Sequence, residues 1–141
     1  MALVAVARQY DAPKEKVWNV FADIGNVQEI SPGIESSKRE NKKDGVGAQR
    51  SCEFGKGAGI TEEVTAWTDG ERMQFTGIAF RKAPMKKMVA TFDFKEQDGK
   101  TLVSCVMDYD MKMGFLLNPI AKGANKKAIK GMLDGVAAKL D

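Results

Sequence analysis

The sequence contains no histidine among its 141 residues, and this absence excludes more than any residue that is present. Without histidine there is no Ser-His-Asp triad, no Cys-His dyad, no imidazole general base and no imidazole-ligated metal. Any acid–base chemistry would fall to Asp, Glu, Lys, Tyr or Cys side chains. The composition therefore favours a role in holding a molecule over one in transforming it, and we predict no metal and no cofactor.

Cysteine is almost as scarce, because Cys52 and Cys105 are the only two. Two cysteines without a C-x-x-C pair indicate neither a disulfide framework nor a redox motif. We expect both to be buried as apolar thiols in a reducing compartment.

Long apolar runs and strong charge are also missing. No run approaches the ~20 residues of a membrane-spanning helix, and the first residues lack the basic-then-apolar order of a signal peptide. The net charge of +3 is too small to indicate a nucleic-acid partner. We therefore expect a cytoplasmic globular protein, and the hydrophobic content of 43% and charged content of 29% agree with that class.

The hydrophobic period changes along the chain. The length of the chain is that of a single domain, so we predict one domain over residues 1–141. Residues 1–8 have the pattern of a first strand. Pro13 suits the first position of a short helix, whose apolar stripe ends at Gly25. A second helical turn is predicted over residues 26–30, and the Ser-Pro-Gly at 31–33 then breaks the chain.

From about Ile34 to Met113 the pattern predicts six strands separated by glycine turns. Asp98-Gly99 is a strong hairpin signal, because a type I′ turn needs positive φ at both central residues. A two-residue loop there pairs apolar or amphipathic residues on one face: Phe94 with Val103, Phe92 with Cys105, Ala90 with Met107 and Met88 with Tyr109.

Pairing residues across a turn in the same way predicts two further hairpins. The turn at Asp69-Gly70 predicts Ala66 opposite Met73, Val64 opposite Phe75, Glu62 opposite Gly77 and Ile60 opposite Ala79. A turn centred near Gly57 predicts Phe54 opposite Ile60, Cys52 opposite Glu62 and Arg50 opposite Val64. Arg50 and Glu62 are thereby predicted as polar residues on an apolar face, diagonal to each other and within reach of long side chains.

The C-terminal segment returns to a helical period. Asn118 is predicted as the N-cap and Pro119 as the first residue of a helix of about twenty residues. Gly123, Gly131 and Gly135 interrupt this helix, each at a cost of up to ~1 kcal/mol relative to alanine. The fold is predicted as α+β, with two short helices after the first strand and a curved seven-stranded antiparallel sheet. The long C-terminal helix packs across the apolar face of that sheet.

With these elements in place, the chain resembles a known superfamily. The segments APKEKVWNVFADIGNVQEISPGI and GVGAQRSCEFGKGAGITEEVTAWTDGERMQFTGI, followed by the long helix, are similar to the START-like (SRPBCC) helix-grip superfamily, and more narrowly to its polyketide cyclase/dehydrase-like branch. This branch also includes Bet v 1-type relatives, and the resemblance covers essentially the whole chain. It implies a helix-grip fold that binds lipids, sterols, polyketides or other hydrophobic ligands between sheet and helix. It implies no universal catalytic residues.

Inward-facing positions of the predicted sheet and helix define a candidate ligand cavity. Arg50 and Glu62 would orient a ligand among apolar side chains, and a structural ion pair is the alternative interpretation. Several methionines share the inward side, where they suit either an adaptable cavity wall or a dry core. The predicted cavity residues are Arg50, Cys52, Glu62, Val64, Met73, Phe75, Gly77, Met88, Phe92, Cys105, Met107, Tyr109, Met132 and Val136.

Two charged patterns have surface interpretations. Residues 80–88 form a basic loop that contains a proline, and this loop would either contact anionic lipid at a cavity mouth or be a solvated hairpin end. Asp108 and Asp110 have the parity of the outer sheet face and are interpreted as solvated charges.

Three functions remain open from the sequence. The first is binding or transport of a small hydrophobic molecule (a lipid, isoprenoid or aromatic polyketide), gated by the C-terminal helix and the loops near Arg81 and Gly55. The second is a cyclase, dehydratase or isomerase that uses Glu62 or Tyr109 with Arg50. The third is a protein-interaction module. An open cavity favours the first function, convergence of Arg50, Glu62 and Tyr109 favours the second, and a filled core favours the third.

Overall fold

The computed structural model describes residues 2–141, so Met1 of the predicted first strand lies outside the described residues. Seven strands and two α-helices follow one another, with a 3₁₀ segment at Ile24–Glu29 after the first helix. The strands are β1 Ala2–Tyr10, β2 Ser36–Arg39, β3 Gln49–Gly55, β4 Ala58–Thr68, β5 Arg72–Arg81, β6 Met85–Gln97 and β7 Lys100–Met111, and the helices are α1 Lys14–Ala22 and α2 Gly114–Leu140.

All seven strands form one antiparallel sheet in the order β1-β7-β6-β5-β4-β3-β2. Strands β2 to β7 form a meander, and β1 pairs with β7 at the far edge. The 27-residue α2 packs across the sheet through Ile129, Leu133 and Val136. The predicted α+β arrangement of a seven-stranded sheet and a long C-terminal helix is confirmed. Within residues 2–141, neither helix combines the length and the apolar character needed to cross a bilayer.

The β6–β7 hairpin has the predicted register. Phe94 pairs with Val103, Phe92 with Cys105, Ala90 with Met107 and Met88 with Tyr109. Asp98 and Gly99 have φ values of 55° and 76°, as a type I′ turn requires. Turn chemistry and face alternation agree here, and the prediction succeeded because two independent signals set one register.

The β4–β5 register is right only in its middle. Val64 pairs with Phe75 and Glu62 with Gly77, but Ala66 pairs with Gln74 and Ile60 with Phe80. The loop contains three residues with Gly70 at φ +75°, and irregularities near Thr65 and near Ile78 shift the pairing twice. Bulges of this kind bend a sheet, and no local sequence signal marked them.

The β3–β4 prediction was wrong by two residues. Arg50 pairs with Glu62 and Cys52 with Ile60, because the turn residues are Lys56 and Gly57, with φ values of 58° and 81°. A register shift at Phe54 accompanies this turn. Arg50 and Glu62 are therefore direct cross-strand neighbours and not a diagonal pair.

Both predicted helix starts need correction. Pro13 is the N-cap of α1 and not its first helical residue. Helix α2 begins at Gly114, so Pro119 lies inside it and Asn118 is not its cap. The Asn118 Oδ1 atom instead accepts a hydrogen bond from the Met111 N–H at 2.8 Å, and this bond ties the helix to the end of β7.

Candidate ligand-binding cavity

A cavity of about 840 Å³ lies between the sheet and α2. Its floor comes from β3 to β7, its roof from residues 124–134 of α2, and its rim from residues 31–34 and 83–85. This volume lies in the range of small-molecule sites, which are mostly apolar with a few placed polar groups. Phe75, Phe92, Met88 and Met107 supply much of the apolar wall.

Nine of the fourteen predicted cavity residues line this space: Arg50, Cys52, Glu62, Phe75, Met88, Phe92, Cys105, Met107 and Met132. Val64, Met73, Tyr109 and Val136 are fully buried in the surrounding core and do not line it. Gly77 lies under the Phe80 ring, since a Cβ atom built at residue 77 would come within 2.6 Å of that ring. The missing side chain at residue 77 thus makes room for Phe80, which does line the cavity.

The Arg50–Glu62 pair is the main polar feature of the cavity floor. Arg50 Nε lies 2.8 Å from Glu62 Oε1, and the two residues are only 5% and 8% exposed. Arg50 also donates to the Ile24 carbonyl at 3.3 Å and stacks over the Phe75 ring at 4.0 Å. A buried ion pair of this kind needs good geometry and further hydrogen bonds to offset desolvation.

Two polar atoms of this pair are not used by the described part of the chain. Among residues 2–141, no hydrogen bond engages Arg50 Nη2 or Glu62 Oε2. The pair therefore offers an unused donor and an unused acceptor, and both residues line the cavity. Such an arrangement can bind a neutral group that both donates and accepts, and a hydroxyl is the simplest example.

Both cysteines face the same cavity as thiols. Burial raises the pKa of the Cys52 thiol from 9.0 to about 12, and the nearby Glu62 carboxylate adds to this effect. Burial likewise raises the pKa of Cys105 to about 12. Because the thiolate is the nucleophilic form, these protonated side chains act as wall atoms and not as nucleophiles at neutral pH.

Tyr109 does not join the Arg50–Glu62 pair. Its ring is fully buried, and its hydroxyl donates to the Asn118 carbonyl at 2.9 Å, which ties β7 to the first turns of α2. Asp110 lies at the same end of β7, where an Asn118 hydrogen bond and the Lys86 charge lower its pKa. Within residues 2–141, no three His, Cys, Asp or Glu side chains are grouped closely enough to hold a metal ion.

The list of predicted cavity residues omitted the rim of the cavity. Residues 31–34, Ala83, Pro84 and Met85 line it, as do residues 124, 125 and 127–131 of α2. Apart from Met85 at the start of β6, these segments lie in loops or on α2, so strand parity could not reveal them. The Ser-Pro-Gly at residues 31–33 was predicted only as a chain break, whereas the basic loop at residues 80–88 was already one candidate for the cavity mouth.

Comparisons with known proteins agree with this geometry. The family model described as polyketide cyclase / dehydrase and lipid transport matches residues 1–141. No functionally curated protein shows significant sequence similarity to the chain.

Solved structures share the fold at low sequence identity. TTHA0849 from Thermus thermophilus has a TM-score of 0.83 at 18% identity, over 99% of this chain and 97% of that one. XoxI from Bacillus cereus has a TM-score of 0.82 at 17% identity, over 99% and 96%. A START superfamily protein from Mycobacterium smegmatis has a TM-score of 0.83 at 12% identity, over 98% and 96%. From the whole-length family match and this shared helix-grip fold, we conclude that the chain belongs to the polyketide cyclase / dehydrase and lipid transport family.

Proposed function

We propose that the protein binds and carries a small hydrophobic molecule with a neutral polar group, of the lipid, isoprenoid or aromatic polyketide class. The observation that carries this proposal is an apolar cavity of about 840 Å³ whose floor holds the buried Arg50–Glu62 pair. Cavity and family both fit hydrophobic ligand binding.

The charge balance of the floor favours a neutral ligand over an anionic one. Arg50 is already neutralised by Glu62 at 2.8 Å. A ligand carboxylate placed there would add an unpaired negative charge to a low-dielectric space, next to the Glu62 carboxylate. A hydroxyl or enol can instead accept from Arg50 Nη2 and donate to Glu62 Oε2 without adding charge.

A cyclase or dehydratase reaction at the same pair is the second candidate. The Glu62 Oε2 atom, which has no hydrogen bond within residues 2–141, favours it, because a proton acceptor must be free to reach its substrate. The buried position of Tyr109 and its hydrogen bond to Asn118 argue against the Tyr109 variant of this mechanism. Incubation with the bound molecule separates the candidates, since a carrier returns it unchanged, a dehydratase returns it without one water and a cyclase returns an isomer of the same mass.

The first test is native mass spectrometry of protein purified from its own source. A carrier should retain a small organic molecule, which the mass then assigns to a class. Farnesol and farnesoic acid provide a matched pair for titration, because they share an apolar body and differ in the charge of the polar end. We expect farnesol to bind at least about tenfold more tightly than the acid.

The variant Glu62→Gln tests the role of the pair. It leaves Arg50 with an uncompensated charge, so we expect farnesol affinity to fall about tenfold and the preference over farnesoic acid to shrink or reverse. Glu63→Gln is the matched control, because Glu63 faces the other side of β4 and bonds to Gln49. Equal farnesol affinity in both variants, with both folded by circular dichroism, would remove Glu62 from the binding site.

A further inference from the structure

A second feature lies outside the cavity, on the first turns of α2. Four large apolar side chains point away from the protein there: Met113, Phe115, Leu116 and Ile120, which we call the α2 apolar patch. Phe115 is 81% exposed and Ile120 is 74% exposed. Their neighbours Leu117 and Ala121 face inward and pack against the core, so the helix is anchored while its outer face has no cover. Contiguous exposed apolar groups of this kind mark interaction sites.

The charge around the patch has one sign. Residues 111–133 contain five lysines and no acidic residue. The five are Lys112, Lys122, Lys126, Lys127 and Lys130, and none forms an ion pair with another residue in the range 2–141. Apolar side chains flanked by unneutralised lysines are the chemistry of a surface that meets an anionic lipid layer.

The β5–β6 loop extends this surface. The Lys112 N–H donates to the Pro84 carbonyl at 2.6 Å, which brings this loop beside the start of α2. Two acidic residues of this neighbourhood are neutralised internally, since Glu53 pairs with Arg81 at 2.9 Å and Asp110 with Lys86 at 3.5 Å. The charged residues of α2 up to residue 133 are therefore left as an unneutralised positive set.

Part of this basic surface borders the cavity. Ala124, Lys127 and Lys130 of α2 line the cavity, and so do Pro84 and Met85 of the loop. The apolar patch ends one helical turn before Ala124. A membrane touching the patch would therefore lie next to the opening through which a hydrophobic molecule enters.

We infer that the α2 apolar patch and its lysines dock the protein on anionic lipid membranes, with the cavity mouth facing the bilayer. A second copy of the chain is a poorer occupant, because a two-fold contact would place the lysines of both copies against each other. This inference goes beyond the proposed cavity function and does not depend on which molecule the cavity holds.

Flotation with lipid vesicles tests the inference. Wild-type protein should bind vesicles of phosphatidylcholine containing one third phosphatidylglycerol, and should bind pure phosphatidylcholine vesicles at least about tenfold less. Binding should weaken between about 50 mM and about 500 mM salt, because screening shortens the reach of the lysine charges.

Two pairs of variants assign the binding to this surface. Phe115→Ser/Ile120→Ser should lower vesicle partitioning about tenfold, whereas Leu102→Ser, an exposed apolar residue on β7, should leave it within twofold. Lys122→Glu/Lys126→Glu should lower it by at least about tenfold. Lys95→Glu/Lys100→Glu has the same net charge change at the far end of the β6–β7 hairpin, and should have a much smaller effect.

Equal binding to neutral and anionic vesicles, or equal losses in the test and control variants, would overturn the inference. It would also be overturned by a wild-type dimer that ignores vesicles and becomes monomeric in Phe115→Ser/Ile120→Ser. Farnesol titration of the same variants keeps the two proposals apart. A variant that loses vesicle binding and keeps farnesol binding is altered only in the docking surface. A variant that loses farnesol binding and keeps vesicle binding is altered only in the cavity.

Discussion

The space between sheet and helix is filled at one end and hollow at the other. At the filled end, α1 inserts Trp18 and Phe21 against Phe94 of β6. Trp18 and Phe94 pack edge to face with centroids 4.9 Å apart, and Phe21 and Phe94 with centroids 5.1 Å apart. The polar groups there are satisfied, since the Tyr10 hydroxyl donates to the Leu133 carbonyl at 2.6 Å.

At the hollow end, no helix of residues 2–141 fills the space between the sheet and α2 as α1 does at the filled end. The wall there combines phenylalanine rings with flexible methionines, the Arg50–Glu62 pair and two protonated thiols. The side-chain amide nitrogen of Asn125 and the Ser31 hydroxyl, both on cavity-lining residues, are buried without a hydrogen-bond partner in the described chain. One end of the interior is thus closely packed, and the other end is less closely packed and contains the cavity.

Truncation of one phenylalanine at each end should show the largest contrast. Phe94→Ala removes an aromatic ring from a close-packed cluster and should lower the free energy of unfolding by about 3–5 kcal/mol. Phe80→Ala removes a half-exposed ring that already borders the cavity, so we expect a loss of about 1 kcal/mol. Urea denaturation of both variants measures the difference. Similar losses would mean that the cavity end is packed as tightly as the aromatic end.

Alkaline pH should sharpen the comparison, because both thiols belong to the hollow end. Each folded-state pKa is about 12 against an ordinary value of 9.0, so the unfolded chain loses the thiol proton first and stability falls as pH rises above 9. At pH 10 we expect a loss on the order of 1 kcal/mol per thiol relative to pH 8. The Tyr10 hydroxyl, whose pKa is also raised by burial, adds a smaller loss at the filled end.

The control for this measurement is Cys52→Ala/Cys105→Ala. Its unfolding free energy should fall less steeply between pH 8 and pH 10 than that of the wild type. The same slope in both proteins would indicate that water reaches the thiols and that the hollow end is wet.

Two glycines of α2 provide a third contrast, in which each single change is small. A Cβ atom at Gly135 would come within 2.0 Å of the Ile30 carbonyl oxygen, so Gly135→Ala should force the helix away and cost roughly 1–3 kcal/mol. Gly123 has no atom within 4 Å of that position, so Gly123→Ala should stabilise the helix by up to ~1 kcal/mol. Thermal melts of both variants give the sign. Destabilisation by Gly123→Ala would show that α2 must bend near residue 123.

The success of the sequence predictions varied with the number of local signals at each turn. The β6–β7 register was predictable because Asp98-Gly99 and the alternation of both strands agree. The β4–β5 and β3–β4 registers contain bulges, and a bulge depends on sheet curvature and not on the residues that flank it. The start of α2 was misplaced because Asn118-Pro119 has the pattern of a helix start, while the structure uses Asn118 to hold β7.

The sequence by itself determined the classes of element, the inward faces of β6 and β7, and the absence of imidazole chemistry, because these depend on residue type and short-range periodicity. Only the tertiary structure decided that Arg50 and Glu62 are direct partners, that Tyr109 is turned to Asn118, and that one end of the interior stays open. Those features depend on where bulges bend the sheet and where Gly135 lets α2 approach Ile30. Contacts between residues distant along the chain decide such positions, and no local pattern encodes them.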